Sequence, residues 1–318
     1  MVSATRKPIF PAAFLLATLT CLLAACAPTA PALPPTNQPP TASPAPTVSP
    51  ECTPGSHTNH LLSAARERTY LLHVPASYHA GQPVPLVLGF HGNTGHADGY
   101  EAYTGFSTVS EQAGFIIAYA QGAGSPPTWD TWQGSKDVRY TSDLIDRLET
   151  ICSIDSARVY ATGFSLGGGM VDRLACDLSG RIAAIGAVSG AYINSQPCSP
   201  TQPVAVIAMH GTADSEVFYN GMPPAGTTPQ TYFSISQPIP QWAQEWAQRN
   251  GCSEKASIFF RQDPVSGQRW DRCATGADVI FYTIRDGPHA WPDRTAGFIA
   301  EQIIWDFFSS HPLVPAGN

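Results

Sequence analysis

The sequence predicts a single α/β domain, a mostly parallel sheet with helices on both faces. Three observations carry this reading. From residue 68 onward, apolar runs of strand length recur, several of them apolar throughout, as strands buried on both faces require. Amphipathic stretches of helical length alternate with these runs, and such alternation builds parallel strands joined by crossover helices. One glycine cluster, in "RVYATGFSLGGGM" (158–170), falls where a strand candidate gives way to a helix candidate and carries a single serine, Ser165.

In chain order the strand candidates are "TYLLHVP", "VPLVLGF", "GFIIAYA", "RVYATGF", "IAAIGAV", "VAVIAMH" and "VIFYTI". Their β-branched and aromatic residues suit a packed, pleated surface. The helix candidates are "YTSDLIDRLETI", "GGGMVDRLACDL", "PQWAQEWAQRN" and "TAGFIAEQIIWDFFSS". In the last, Phe298, Ile299, Ile303, Ile304, Phe307 and Phe308 recur at helical spacing and predict an apolar stripe. Trp242, Trp246 and Trp305 also fall at helical spacing and read as core. No internal repeat and no second domain are evident.

The chain ahead of this domain has another composition. Arg6 and Lys7 precede "IFPAAFLLATLTCLLAAC", an apolar run short for a membrane span and ending in small residues, the pattern of a signal peptide. Its end, Leu23-Ala24-Ala25-Cys26, resembles a bacterial lipobox, in which the cysteine becomes the lipidated first residue of the mature protein. Residues 1–26 are thus read as a lipoprotein-type signal, and 27–51, rich in Pro, Ala, Thr and Ser, as an extended spacer that cannot bury a core. The α/β domain is expected over 52–318. This organisation predicts an exported protein, extracellular or at a bacterial cell surface, a monomer that meets a membrane only through a lipid on Cys26.

Cysteine usage agrees with export. Cys52, Cys152, Cys176, Cys198, Cys252 and Cys273 follow the spacer, and an even number in an exported chain predicts three disulfides. Cys252–Cys273 is the expected pair, because the two flank one short strand candidate, "SIFF", in a loop-rich segment; the other pairings stay open. No cysteine or histidine spacing suggests a metal site, "HTNH" with His57 and His60 included. Beyond residue 50 the chain carries 15 Lys and Arg against 24 Asp and Glu. Without a basic patch, nucleic acid is excluded as a partner.

Ser165 lies on the turn between "RVYATGF" and the next helix, in the order Gly163-Phe164-Ser165-Leu166-Gly167. Gly-x-Ser-x-Gly on a strand–turn–helix unit is the nucleophile elbow, whose sharp turn presents the serine and leaves no room for side chains at the flanking glycines. A serine hydroxyl needs a base, and the base an orienting acid. "VAVIAMHGTAD" supplies Asp214 and "VIFYTIRDGPHAWP" supplies His289, each just past a strand and in the chain order this arrangement requires. Glu216 and Asp286 are rival acids; His91 and His210 read as loop-ordering residues. For the oxyanion, the donors expected are the N–H of Leu166 and, from the loop in "VPLVLGFHGNTG", the N–H of Asn93, with Gly92 the alternate. Trp129 and Trp132, near Asp137 in "SPPTWDTWQGSKDVRY", and Trp291, two residues past His289, are the candidate substrate-binding residues.

Together, "FHGNTG", "GFIIAYAQG", "ARVYATGFSLGGGMVDRLAC", "HGTAD", "NGC" and "GPHAWP", in this order over roughly residues 52 to 310, resemble the secreted esterases of the polyhydroxybutyrate depolymerase-like family, which includes feruloyl and acetylxylan esterases. The resemblance implies an α/β-hydrolase fold, no cofactor and hydrolysis through an acyl-serine intermediate, with Ser165, Asp214 and His289 on the family's triad positions. The cysteine arrangement, with "NGC" and "LAC", is closest to the feruloyl esterase side. The expected activity is hydrolysis of feruloyl or acetyl esters on plant polysaccharides; the alternatives are a poly(3-hydroxybutyrate) or related polyester depolymerase and, behind it, a serine peptidase.

The anchor is tested by metabolic labelling with a fatty acid. Label should enter the full-length protein, and Cys26→Ala should release it from the membrane fraction. An unlabelled wild type that is already soluble removes the lipobox reading.

Overall fold

The computed structural model describes residues 49–192, 197–221, 237–292 and 298–314. The signal segment, the spacer up to residue 48 and the first part of the last helix candidate (295–297) lie outside the described residues. The elements are β1 (Gly55–Ser63), β2 (Arg66–Val74), β3 (Val84–Phe90), α1 (Ala97–Thr104), α2 (Phe106–Ala113), β4 (Ile116–Ala120), α3 (Lys136–Ile151), β5 (Ile154–Phe164), α4 (Leu166–Asp177), β6 (Ala184–Val188), β7 (Ala205–Gly211), α5 (Ile239–Arg249), β8 (Ser257–Gln262), β9 (Val265–Trp270), β10 (Val279–Ile284) and α6 (Ala300–Ser309).

All ten strands join one sheet, in the order β1-β2-β4-β3-β5-β6-β7-β10-β9-β8. The six from β4 to β10 are parallel. At either edge an antiparallel hairpin completes it, β1–β2 beside β4 and β8–β9 beside β10. The middle strands are buried on both faces, and their alternation sends neighbouring residues to opposite cores. Val159 and Ala161 of β5 enter the core under α3, α4 and α5, while Tyr160 between them enters the core under α1, α2 and α6. Every apolar strand run read from the sequence is a strand here.

Several elements were not foreseen. β1, "GSHTNHLLS", alternates half-buried with exposed positions and carries two histidines, so it shows no apolar run. β9, "VSGQRW", is likewise polar on alternate positions and pairs through its backbone. α1 and α2 have eight residues each and are divided by Gly105 at φ 71°, too short for a helical period to stand out. α3 begins at Lys136, four residues ahead of the expected start, because the Ser135 hydroxyl caps it by accepting the Val138 N–H at 3.2 Å. Ile299, expected in the apolar stripe, precedes α6 and is exposed; Trp305 takes a place in the buried face instead.

Trp242 and Trp246, one turn apart on α5, both donate their indole N–H to Asp172 of α4, at 3.0 and 2.9 Å. Burial raises the Asp172 carboxyl against the lowering effect of those two bonds. Among the described residues there are three disulfides, Cys52–Cys152, Cys176–Cys198 and Cys252–Cys273. The last is the expected pair, although a whole hairpin, β8–β9, separates its cysteines.

Because the six central strands run parallel, their carboxyl ends lie along one edge of the sheet, the usual place for a site in such a fold. The segments after β3, β5, β7 and β10 gather there.

Cys52–Cys152 ties the start of the described chain to the end of α3 across a sequence separation of 100 residues. Loop closure in the unfolded chain makes this the most stabilising of the three, worth about 4–5 kcal/mol against ~3 for the shorter loops. Denaturant unfolding of Cys52→Ala/Cys152→Ala beside Cys252→Ala/Cys273→Ala should show the larger loss for the first pair.

Candidate active site

Ser165 stands between β5 and α4 at φ 55° and ψ −120°. A non-glycine residue in this region costs on the order of 1–3 kcal/mol and persists only where its surroundings hold it. They do so through three backbone bonds. Its N–H donates to Val188 O at 3.0 Å, and its carbonyl accepts from Gly169 at 3.1 Å and Ala191 at 3.0 Å. The turn also forces backbone against backbone. A Cβ on Gly163 would strike the Gly167 carbonyl, and one on Gly167 would strike the Phe90 carbonyl at the end of β3. These are the two glycines of the elbow.

The candidate acid and base arrive on two laced loops. Thr212 donates its N–H to Ile284 O at 2.9 Å and Ala213 to Gly287 O at 3.0 Å, while the Asp286 N–H donates to the Thr212 hydroxyl at 2.8 Å. Across this lacing, His289 Nδ1 lies 2.8 Å from Asp214 Oδ2 and donates to it. His289 also lies against Phe164, the residue before Ser165, with ring centroids 4.9 Å apart. Asp214 is buried; its Oδ1 accepts the N–H groups of Glu216 at 2.9 Å and Val217 at 2.8 Å. Burial alone would raise the Asp214 carboxyl, but hydrogen bonds from His210 and His289 outweigh it and hold the group well below the usual carboxylate range. Of the rivals, Glu216 contributes its backbone N–H, and Asp286 is exposed beyond Thr212.

His210 does more than order its loop. Its Nε2 lies 2.8 Å from Val217 O and 3.2 Å from Asp214 Oδ2, both acceptors, so this nitrogen carries the proton. His91 is buried and fully used: Nε2 accepts the Gly122 N–H at 2.9 Å and Nδ1 donates to Gly92 O at 2.7 Å. Burial lowers its pKa, against the raising effect of that bond to Gly92. The loop it shapes borders the serine, for the Cβ position of Gly92 is 3.4 Å from Ser165 Cβ. Leu166 N–H opens α4, where the helix terminus favours negative charge. The Asn93 side chain is held by Thr128, whose hydroxyl donates to Asn93 Oδ1 at 2.9 Å.

The three tryptophans are placed differently. Trp129 is 4% exposed, donates its indole N–H to His91 O at 2.8 Å and packs on the Phe90 and His91 rings. It braces the loop from beneath, and the cavity it borders, with Arg68, Lys136 and Asp137, does not include Ser165, so the structure places it away from the expected position in the cleft. Trp291 is buried on Tyr100 and Phe106, with its indole N–H directed at Glu301. Trp132 is exposed at 54%. Asp137, its neighbour in sequence, is buried in an ion pair with Arg68 at 2.7 Å and accepts the Asp130 N–H at 2.7 Å. Sequence reasoning missed Tyr103. This residue of α1 is exposed and accepts the Trp291 N–H at 2.8 Å, and its only sequence signal is its place in the segment after "FHGNTG".

No protein-family model matches the chain. Feruloyl esterase B of Piromyces equi is 27% identical over 260 residues, covering 77% of this chain and 46% of its own length, so the chain spans about half of that relative. A protein of Nocardia uniformis subsp. tsuyamanensis named as an esterase is 29% identical over 325 residues, covering 93% of this chain and 92% of the relative. Among solved structures, the acetyl xylan esterase from Aspergillus awamori matches with a TM-score of 0.59 at 17% identity, over 80% of this chain and 99% of that one. The fold is that of the α/β-hydrolases, and the curated relatives include feruloyl and acetylxylan esterases, the group that the sequence motifs resemble.

Asp214 links the site to stability. A carboxyl held below its ordinary value of about 3.9 stabilises the folded state while the pH is above that value, and the contribution is lost as the pH falls through the folded-state value. Asp214→Asn lacks it at every pH. The stability gap between wild type and Asp214→Asn should therefore be widest above about pH 4 and close on further acidification. Urea unfolding across this range measures the gap; a gap independent of pH contradicts the assignment.

Proposed function

We propose that this protein is a serine carboxylic ester hydrolase acting on feruloyl or acetyl esters of plant polysaccharides. The observation that carries the reading is the hydrogen-bonded Asp214–His289 pair, set beside the strained Ser165 elbow at the carboxyl edge of the parallel sheet. The names of the curated relatives support the substrate class.

The chemistry follows from these residues. Ser165 Oγ attacks the ester carbonyl while His289 takes its proton, and the Asp214 carboxylate holds the imidazole with its free nitrogen toward the serine. The Leu166 and Asn93 N–H groups receive the oxyanion of the tetrahedral intermediate. Collapse breaks the ester C–O bond, and His289 returns its proton to the departing alcohol. Water then attacks the acyl-serine with His289 again as base, releasing the acid and restoring Ser165. No step calls for a cofactor.

The leading segments suit a substrate too large to enter a cell. Residues 1–26 act as a lipoprotein signal, Cys26 carries the lipid, and the spacer holds the catalytic domain away from the bilayer. The even cysteine count and the three disulfides support an oxidising location.

The purified protein should be assayed on short aryl esters and on a panel of feruloyl, acetyl and 3-hydroxybutyrate esters, with peptides as the contrast. Ser165→Ala should lower kcat by on the order of 10⁴-fold or more with the fold intact. His289→Ala should do nearly as much and Asp214→Asn somewhat less, with effects far from additive because the three act as a unit. Turnover that survives in Ser165→Ala overturns the hydrolase reading. Preference for hydroxybutyrate oligomers or peptides moves the substrate assignment to those classes.

A further inference from the structure

Next to the proposed nucleophile lies an aromatic side chain that the reaction above leaves unused. Tyr103, in the last turn of α1, is 50% exposed. Its ring meets Phe164 edge-on, with centroids 5.6 Å apart. Phe164 in turn touches His289 at 4.9 Å, and its Cδ1 is 3.2 Å from the Cβ position of Gly92. Tyr103, Phe164 and His289 thus form a continuous aromatic wall beginning one residue before Ser165.

An exposed tyrosine usually keeps its hydroxyl free for water. Here the hydroxyl is engaged, accepting the N–H of Trp291 at 2.8 Å, two residues past His289. That bond fixes the ring by its far end. What remains for a ligand is the flat face, held in one orientation at little further entropic cost. The other aromatic candidates are less suited: Trp129 and Trp291 are buried, and Trp132 has no described ring contact to the residues around Ser165.

We infer that Tyr103 is the residue that selects the acyl group, and that it selects aryl-substituted acids. The inference rests on the ester hydrolase reading and deepens it. An acyl group bonded to Ser165 with a planar ring a few bonds beyond its carbonyl brings that ring against Tyr103, backed by Phe164, in the offset or edge-to-face arrangement aromatic pairs adopt at centroid separations of about 4.5–7 Å. An acetyl group has no ring to set against Tyr103 and gains nothing from that face. Through its hydroxyl the same side chain also positions the loop that carries His289. Ring and hydroxyl therefore have separable duties, acyl selection and base positioning.

The test compares kcat/KM on methyl ferulate and on an acetyl ester of matched leaving group, for wild type, Tyr103→Phe, Tyr103→Leu and Tyr103→Ala, with circular dichroism and thermal melts to verify folding. Tyr103→Ala should lower the feruloyl-to-acetyl ratio by about tenfold, most of it through KM. Tyr103→Leu, which fills much of the volume without a ring, should lower the ratio nearly as far and serves in place of Tyr103→Ala if the latter does not fold. Tyr103→Phe should keep the wild-type ratio while lowering kcat on both esters, because it retains the ring and removes the acceptor for Trp291. A ratio unchanged in Tyr103→Leu, or a wild type that hydrolyses acetyl but no feruloyl ester, overturns the inference while the esterase reading stands. A wild type inert on every ester fails that reading, and the inference fails with it.

Discussion

The backbone at Ser165 is the constraint on which the rest of this structure depends. At φ 55° the chain turns from strand to helix within one residue, and it can do so only if nothing projects from positions 163 and 167. The strain is balanced by hydrogen bonds from three directions: the end of β6 through Val188, the first turn of α4 through Gly169, and the segment after β6 through Ala191. Moving any of these elements would release the turn. The central strands must accordingly hold their register, because the Ser165 N–H meets its acceptor only where β6 ends level with β5.

The same edge explains why the loops around the site are so heavily bonded to one another. Loops over an open sheet edge would ordinarily be the mobile part of such a fold. Here the loop after β3 is pinned by His91 from within and by the Trp129 indole from beneath, while the loop after β7 is laced to the loop after β10. Catalytic distances tolerate little error, and a misplacement of about 1 Å can cost on the order of 100-fold in rate. Under the proposed reaction, these buried side chains would serve by removing freedom from the backbone that presents the candidate N–H groups and imidazole.

What the sequence disclosed follows from this division. The parallel strands were legible because burial on both faces leaves apolar runs, and the elbow at Ser165 and the hydrogen-bonded Asp214–His289 pair because each of these residues follows such a run. β1 and β9 were not, since at the sheet's flanks one face meets water and the run dissolves into alternation. Tyr103 was hidden for another reason. It belongs to an eight-residue helix with no strong period, and its importance lies in contacts to residues 164 and 291, which no local pattern announces. Trp129 shows the converse. A tryptophan in a loop next to a cleft looks like a ligand residue from composition, yet its N–H found a carbonyl and its rings a neighbour, and it became support.

The Asp214 carboxylate shows how far this saturation of polar groups reaches into the chemistry. A carboxylate offers about four lone-pair positions, and here four donors occupy them: the Glu216 and Val217 N–H groups on Oδ1, and the His289 and His210 rings on Oδ2. Two of these donors are backbone and cannot leave without breaking the loop. Although burial would raise its pKa, the bonds and charges of His210 and His289 favour the ionised carboxylate and hold the pKa below the usual range. In the proposed reaction the carboxylate would not take a proton from His289 and would instead hold the ring and stabilise its positive charge. His210 belongs to this arrangement as a fourth donor. Its Nε2 proton is shared between Val217 O and the carboxylate, and its side chain is buried, so it holds the acid from the side away from solvent.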